Sequence, residues 1–341
     1  MKKNRIAVVI IVLILALFLS LGGGAQAEEG VVSSALFGDY YWVAKNQKES
    51  FENKNGLVIR RAYLTYDKKI NAAFAAKLQL ELNQTDFATT TSTMIPFLKQ
   101  AHLAYNRGLQ TVYFGLAGTP TWDVVESHWG YRFVEKTPLD LQKLGSSVDG
   151  GLAFKGHFDA EKKWGYHFMA GNGAGTGSET NDSKKFYLSL TAAPAKKVLF
   201  QVYGDFEDNK SGTPGSDAYT LQVFAGLKGD AGRGGLLFAQ RATEKNGIDT
   251  TLDIFSLYGV ANLKEDLSLF ARVDRMSDPN PNAHKIAYLP MANDKSSTLA
   301  ILGLDYKIDQ GIRIAPNLEA VFYSNDANID LIPRVTFYYI F

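Results

Sequence analysis

Apolar and polar residues alternate with period two almost throughout the chain after residue 27, and no other feature constrains the fold as tightly. Phe74, Ala76, Leu78, Leu80 and Leu82 alternate with Ala75, Lys77, Gln79, Glu81 and Asn83. Ile312, Ile314, Pro316, Leu318, Ala320 and Phe322 alternate in the same way with Arg313, Asn317, Glu319 and Tyr323. Strands with this pattern carry one apolar and one polar face, as do those of a soluble sandwich, so strand length and connections must decide between the two.

The pattern predicts sixteen strands, at 33–45, 57–67, 72–83, 97–105, 109–118, 148–158, 163–171, 184–193, 197–207, 217–228, 233–242, 250–262, 265–276, 296–307, 311–323 and 331–341. Most run about ten to twelve residues, the length that crosses a bilayer at a tilt near 45°, whereas strands of soluble domains usually stop at about five or six. The links alternate in length. Short ones such as 68–71, 106–108, 194–196 and 263–264 follow the even strands. Long ones, at 46–56, 84–96, 119–147, 172–183, 208–216, 243–249, 277–295 and 324–330, follow the odd strands. Tight turns at one rim and long loops at the other describe an up-and-down meander, whereas Greek-key crossovers have no reason to alternate so regularly. The fold expected is therefore all-β, a transmembrane antiparallel up-and-down β-barrel closed over residues 28–341.

The N-terminus agrees with export. Lys2, Lys3 and Arg5 precede an uncharged apolar run from Ile6 to Leu21, and Ala25-Gln26-Ala27 has the small-x-small pattern of a secretory cleavage site. Residues 1–27 are expected to be a signal peptide cleaved before Glu28, with an uncleaved anchor as the alternative. Beyond them no apolar run is long enough to span a bilayer as a helix, so a closed barrel is the spanning structure left. The location expected is the bacterial outer membrane, among its lipids. Lys and Arg number 36 against 35 Asp and Glu, without the basic excess of a nucleic-acid binder, and the absence of Cys excludes a disulfide scaffold or thiolate metal site. The 17 Tyr and 21 Phe suit strands and membrane interfaces. Phe341 ends the chain, with Tyr339, Phe337, Val335 and Pro333 on its face. Such an ending resembles the signal by which the outer-membrane assembly machinery recognises its barrels.

Several short motifs resemble bacterial porins, in particular the phosphate-selective porin O/P family. They are the segment from Gly56 to Tyr66, the Gly150-Gly151-Leu152-Ala153-Phe154-Lys155-Gly156 run, Ala170-Gly171-Asn172-Gly173, the Leu269-to-Asp274 segment and the closing strand. The resemblance implies a sixteen-stranded, homotrimeric outer-membrane channel whose third long loop folds inward. Phosphate specificity is not carried over, because no lysine-rich constriction matches particular positions here. The third long link, 119–147, is the longest, and it holds Trp122, Asp123, Glu126, His128, Trp129, Tyr131, Arg132, Glu135, Lys136, Asp140 and Lys143. Its charges, Asp123, Glu126, Arg132 and Lys136 among them, are expected at the constriction; a loose surface loop is the alternative.

On the wall, the alternation points Arg61, Lys77, Lys155, Arg241, Arg272, Arg313 and Arg334 inward, with Asp39, Glu81, Asp205, Asp253, Asp274 and Glu319. A basic residue facing lipid at mid-depth would cost about 2–4 kcal/mol, so these charges are expected to line water. The inward Arg and Lys residues lean toward anions, while charges that merely pair and solvate the wall are the alternative for any one of them. Enzyme motifs are absent: His102, His128, His157, His167 and His284 lack ligand spacing, and there is no G-x-S-x-G elbow or P-loop. The 278–282 run, Asp-Pro-Asn-Pro-Asn, reads as a turn rather than a calcium site. The reading is a passive channel for small hydrophilic solutes, without metal or cofactor. Its alternatives are a barrel enzyme of the lipase type and a non-conducting structural barrel.

Overall fold

The structure is a computed structural model that describes residues 29–83, 94–180, 182–208, 217–245, 248–324 and 328–341. The leader and its cleavage site lie outside the described residues. Sixteen antiparallel strands form one closed sheet in chain order: β1 (Val31–Trp42), β2 (Asn55–Lys69), β3 (Phe74–Asn83), β4 (Ile95–Arg107), β5 (Gln110–Gly118), β6 (Val148–His157), β7 (Trp164–Gly171), β8 (Lys184–Ala195), β9 (Val198–Asp208), β10 (Ala218–Gly229), β11 (Gly232–Lys245), β12 (Ile248–Asn262), β13 (Leu267–Met276), β14 (Ser297–Asp309), β15 (Ile312–Tyr323) and β16 (Ile329–Ile340). The seam is β1 on β16, from Ala35 opposite Ile340 to Tyr41 opposite Arg334, so no edge strand is left unpaired. All sixteen strands expected from the alternation are present, and their ends shift by a few residues. Among the described residues no helix is long and apolar enough to cross a membrane.

Tight turns close one rim. Asn71 Oδ1 accepts the backbone N–H groups of Ala73 and Phe74, and the Asp159 carboxylate accepts those of Lys163 and Trp164, so each side chain replaces the backbone partner that a two-strand corner lacks. The wall has two chemically distinct faces. In β8, Phe186, Leu188 and Leu190 are exposed while Lys185, Tyr187 and Ser189 between them are buried. Side chains on the outside of a closed cylinder diverge and those inside converge. The exposed apolar rows are therefore the outer face and the buried polar rows the inner one.

Among the described residues the register shifts at four places; those at Ala192/Ala195 and Lys307/Asp309 lie beside short turns, and the other two bear on the bore. Between β1 and β2 the register jumps from Phe37 opposite Arg61 to Gly38 opposite Ile59, leaving Arg60 as an extra residue. Between β3 and β4 it jumps from Gln79 opposite Gln100 to Leu80 opposite Leu98, leaving Lys99 extra. Each bulge turns two consecutive polar side chains inward: Arg60 with Arg61, and Lys99 with Gln100.

Asp253 departs from the expected inward set. It shares the outer face of β12 with Phe255 and Leu257, both exposed, and accepts a 2.8 Å hydrogen bond from Gln240 on β11. Near the long-loop rim an outward carboxylate costs little, because the penalty for a charge on the outer face fades toward the interface.

Candidate functional site

The segment between β5 and β6 contains two short helices, α1 (Asp123–Trp129) and α2 (Pro138–Leu141). Gly130 ends α1 in the left-handed region, φ 69°, and an added Cβ there would lie 2.7 Å from the Arg233 guanidinium. The segment carries its own apolar stripe. Trp129, Tyr131, Phe133, Val134, Leu139 and Leu141 are all buried, and they pack on inner-face residues of strands far away in the chain. Trp129 meets Tyr258 at 5.0 Å between ring centroids and Tyr131 meets Phe270 at 4.7 Å. His128 Nδ1 and the Tyr258 hydroxyl are 2.5 Å apart, and the same imidazole fills the space that a side chain at Gly226 would need.

Wall arginines bind this segment through its backbone. Arg233 donates from Nε (3.0 Å) and Nη2 (2.8 Å) to Trp129 O, Arg272 from Nη1 to Lys136 O (2.6 Å), and Arg241 to Leu144 O (3.3 Å). Arg60 donates to Val134 O (2.9 Å) and to Phe133 O, and its Nε lies 2.5 Å from Asp39. A buried network continues from there. Glu135 accepts from the Tyr288 hydroxyl (2.7 Å) and faces Arg334 at 3.7 Å, and Arg334 pairs with Glu319 at 2.9 Å. Tyr288 lies between the Arg60 and Arg334 guanidiniums, 5.2 and 5.5 Å from its ring centroid. Burial pushes the Glu135 carboxyl up, but Arg60 and Arg334 outweigh it and hold the group below its ordinary range. The 277–296 link joins in, as Asn280 donates to Gln142 O and Oε1 at 2.9 Å, so the Pro/Asn run serves as a loop-to-loop contact.

What this packing leaves open is a cavity of about 440 Å³ against β2–β7. Its strand side presents Lys77, Lys99, Lys155, His102 and His167 with Tyr63, Gln79, Gln100 and Tyr113; its loop side presents Asp123, Glu126, Asp140, Arg132 and Trp122. One ion pair, Lys155 with Asp123, joins the two sides, and the others lie within a side. Lys155 meets Asp123 at 2.7 Å, Lys99 meets Glu81 at 3.1 Å, Lys77 meets Asp67 at 3.1 Å, and Arg132 reaches Glu126 at 3.0 Å and Asp140 at 3.7 Å. Burial raises the Asp123 carboxyl, but His167, 3.8 Å away, and Lys155 overcome it and hold the group at about 2. Burial dominates at Glu126, which is raised despite Arg132. Burial together with Arg132 and Arg61 brings Lys136 down to about 8, opposed by Asp140 at 3.4 Å.

The residues singled out from sequence thus fall into two groups. Lys77, Lys155, Asp123, Glu126 and Arg132 border the cavity. Arg61 sits beside it, paired with Glu81 at 2.7 Å, and Lys136 stands behind Asp140. Arg241 and Arg272 hold the loop backbone, while Arg313 pairs with Asp305 under the Tyr131 and Phe133 rings. Sequence reasoning missed Arg60, Lys99 and Arg233. The first two sit at consecutive polar pairs within membrane-length strands, and that pairing is the available signal, since neither member suits lipid.

No family model matches this chain, and no curated protein does either. Solved structures match nearly end to end. The anion-selective porin from Comamonas acidovorans superposes with a TM-score of 0.69 at 11% identity, over 92% of this chain and 99% of that one. The fold is that of bacterial outer-membrane porins. A loop L8 deletion mutant of OmpT, an outer membrane protein of Vibrio cholerae, gives a TM-score of 0.66 at 14% identity over 92% of this chain and 100% of its own. In-vitro folded OmpT in a trimer form gives 0.62 at 14% identity, with the same two coverages. Such low identity makes this a likeness of porin architecture rather than of any one porin's solute.

Proposed function

We propose that the chain is a channel of the bacterial outer membrane, through which small hydrophilic solutes diffuse passively with a preference for anions. In this reading the 119–147 segment lies within the bore and narrows it to the passage along β2–β7. The observation that carries the reading is the two-sided charge of the cavity, with three lysines on the strand side opposite Asp123, Glu126 and Asp140. Opposed rows of charge set up a transverse field that orients a polar solute, and a surplus on one side favours ions of the other sign. Six cations, Lys77, Lys99, Lys155, Arg61, Arg132 and Lys136, stand against the five carboxylates Asp67, Glu81, Asp123, Glu126 and Asp140 and supply that surplus. Anion selectivity in the Comamonas neighbour and a trimeric form of OmpT support the same preference and a homotrimer here. The channel carries no covalent chemistry in this proposal.

Reconstitution into a planar bilayer under asymmetric salt tests it. Discrete conductance steps with a reversal potential on the anion side are expected. A barrel without steps would make it a structural element, and phospholipid hydrolysis by purified protein would make it an enzyme. The pH dependence follows from Lys136. This ammonium is charged below about 8 and neutral above it, so raising the pH from 7 to 9 removes a cation from behind Asp140. Anion preference is expected to fall over that interval, and Lys136→Gln should flatten the change.

A further inference from the structure

The outer face bears a feature that conduction does not use. A groove of about 760 Å³ runs across β9–β13, bedded on Ala225 and walled by Phe200, Leu236 and the Phe238–Phe255 pair, whose rings are 4.7 Å apart. Its floor exists because a methyl group stands in the register row between Phe200 and Leu236. At its long-loop end lies Arg275, opposite Phe255 and one residue from the end of β13. Its guanidinium is held by three hydroxyls: Thr298 (3.2 Å), Ser296 (3.1 Å) and Ser324 (3.2 Å). No carboxylate pairs with it among the described residues, and the outward acid nearer the rim, Asp253, is engaged by Gln240.

We propose that this face binds a phosphate-bearing lipid of the outer leaflet, with the phosphate on Arg275 and one acyl chain in the groove over Ala225. The inference rests on the outer face being embedded in lipid. A guanidinium with no carboxylate partner among the described residues, at the interfacial end of an apolar trough, matches an amphiphile with an anionic head. The hydroxyls take both Nη2 donors and one of Nη1, which orients the guanidinium and leaves Nε and the second Nη1 donor for charge-assisted bonds to phosphate oxygens.

Native mass spectrometry of the protein in a non-ionic detergent, with dioleoyl phosphatidic acid against dioleoylglycerol, tests this. Wild-type protein should retain the phosphatidic acid about tenfold better than the diacylglycerol, the factor a charge-assisted hydrogen-bonded pair supplies. Arg275→Gln should erase that difference and Arg275→Lys should keep most of it, while Ala225→Leu should weaken both lipids by filling the trough. Conductance should be unchanged in all three. Equal retention of phosphatidic acid by wild type and Arg275→Gln would overturn the proposal. So would an Ala225→Leu variant that loses its oligomeric state while holding lipid, since the groove would then be a subunit contact. Protein that stays soluble without detergent would overturn the membrane reading itself.

Discussion

Under the proposed function, replacing Lys77, Lys99 and Lys155 together with Glu is expected to turn an anion-preferring channel into a cation-preferring one. The three ammoniums make up the lysine content of the strand side of the cavity and face Asp123, Glu126 and Asp140 on the loop side. A unit charge about 4 Å from an ion is worth about 1 kcal/mol in water, and less at physiological salt. Reversing three charges at once should therefore move the anion-to-cation permeability ratio on the order of tenfold, even after screening. Reversal potentials in asymmetric salt read the change directly. An unaltered sign would remove the strand-side lysines from selectivity and leave the loop charges to explain it. A parallel reversal of Arg241 and Arg313 should do less, because both are occupied by loop and wall partners away from the cavity.

Arg60→Ala is expected to be the most damaging single substitution in the wall. This side chain is fully buried and holds Asp39, Phe133 O and Val134 O at once. Truncation strands a buried carboxylate and two carbonyls, and breaking a buried pair in this way costs about 3–5 kcal/mol. Thermal unfolding in detergent should shift down accordingly, and single-channel records should show larger, noisier steps as the 119–147 segment loosens. Arg61→Ala supplies the contrast. Its partner Glu81 keeps Lys99 at 3.1 Å, and the side chain is itself partly exposed, so stability should change by about 1 kcal/mol or less. Equal losses from the two neighbours would contradict the division of labour that the β1–β2 bulge creates.

That pair also shows where sequence reading stops. Period-two alternation and alternating link lengths suffice for the strand number and the meander, because both are imposed locally by the pleat and by the reach of each turn. Inward direction is legible from the same count until an extra residue resets it. The alternation directs Arg61 into the bore and Arg60 away from it, although the bulge turns both inward, and it hides Lys99 beside Gln100 for the same reason. Asp253 fails differently. Its phase matches exposed Phe255 and Leu257, and charge alone was a poor guide so near the rim. Contacts such as Tyr131 with Asp305, or Tyr288 with Glu135, join positions more than 150 residues apart, and no local pattern encodes which wall a long link will meet.

The partners of residues 133–136 carry a consequence for assembly. They come from both ends of the chain: Arg60 from β2, Arg272 from β13, Arg334 from β16, and Tyr288 from the link before β14. During synthesis and insertion the segment is made long before most of these groups exist. It can reach its final seat only once the last strand has zipped onto the first. Docking of this segment is thus expected to come late and to report completion of the cylinder, so that in the proposed channel discrimination among solutes would be set only at that moment.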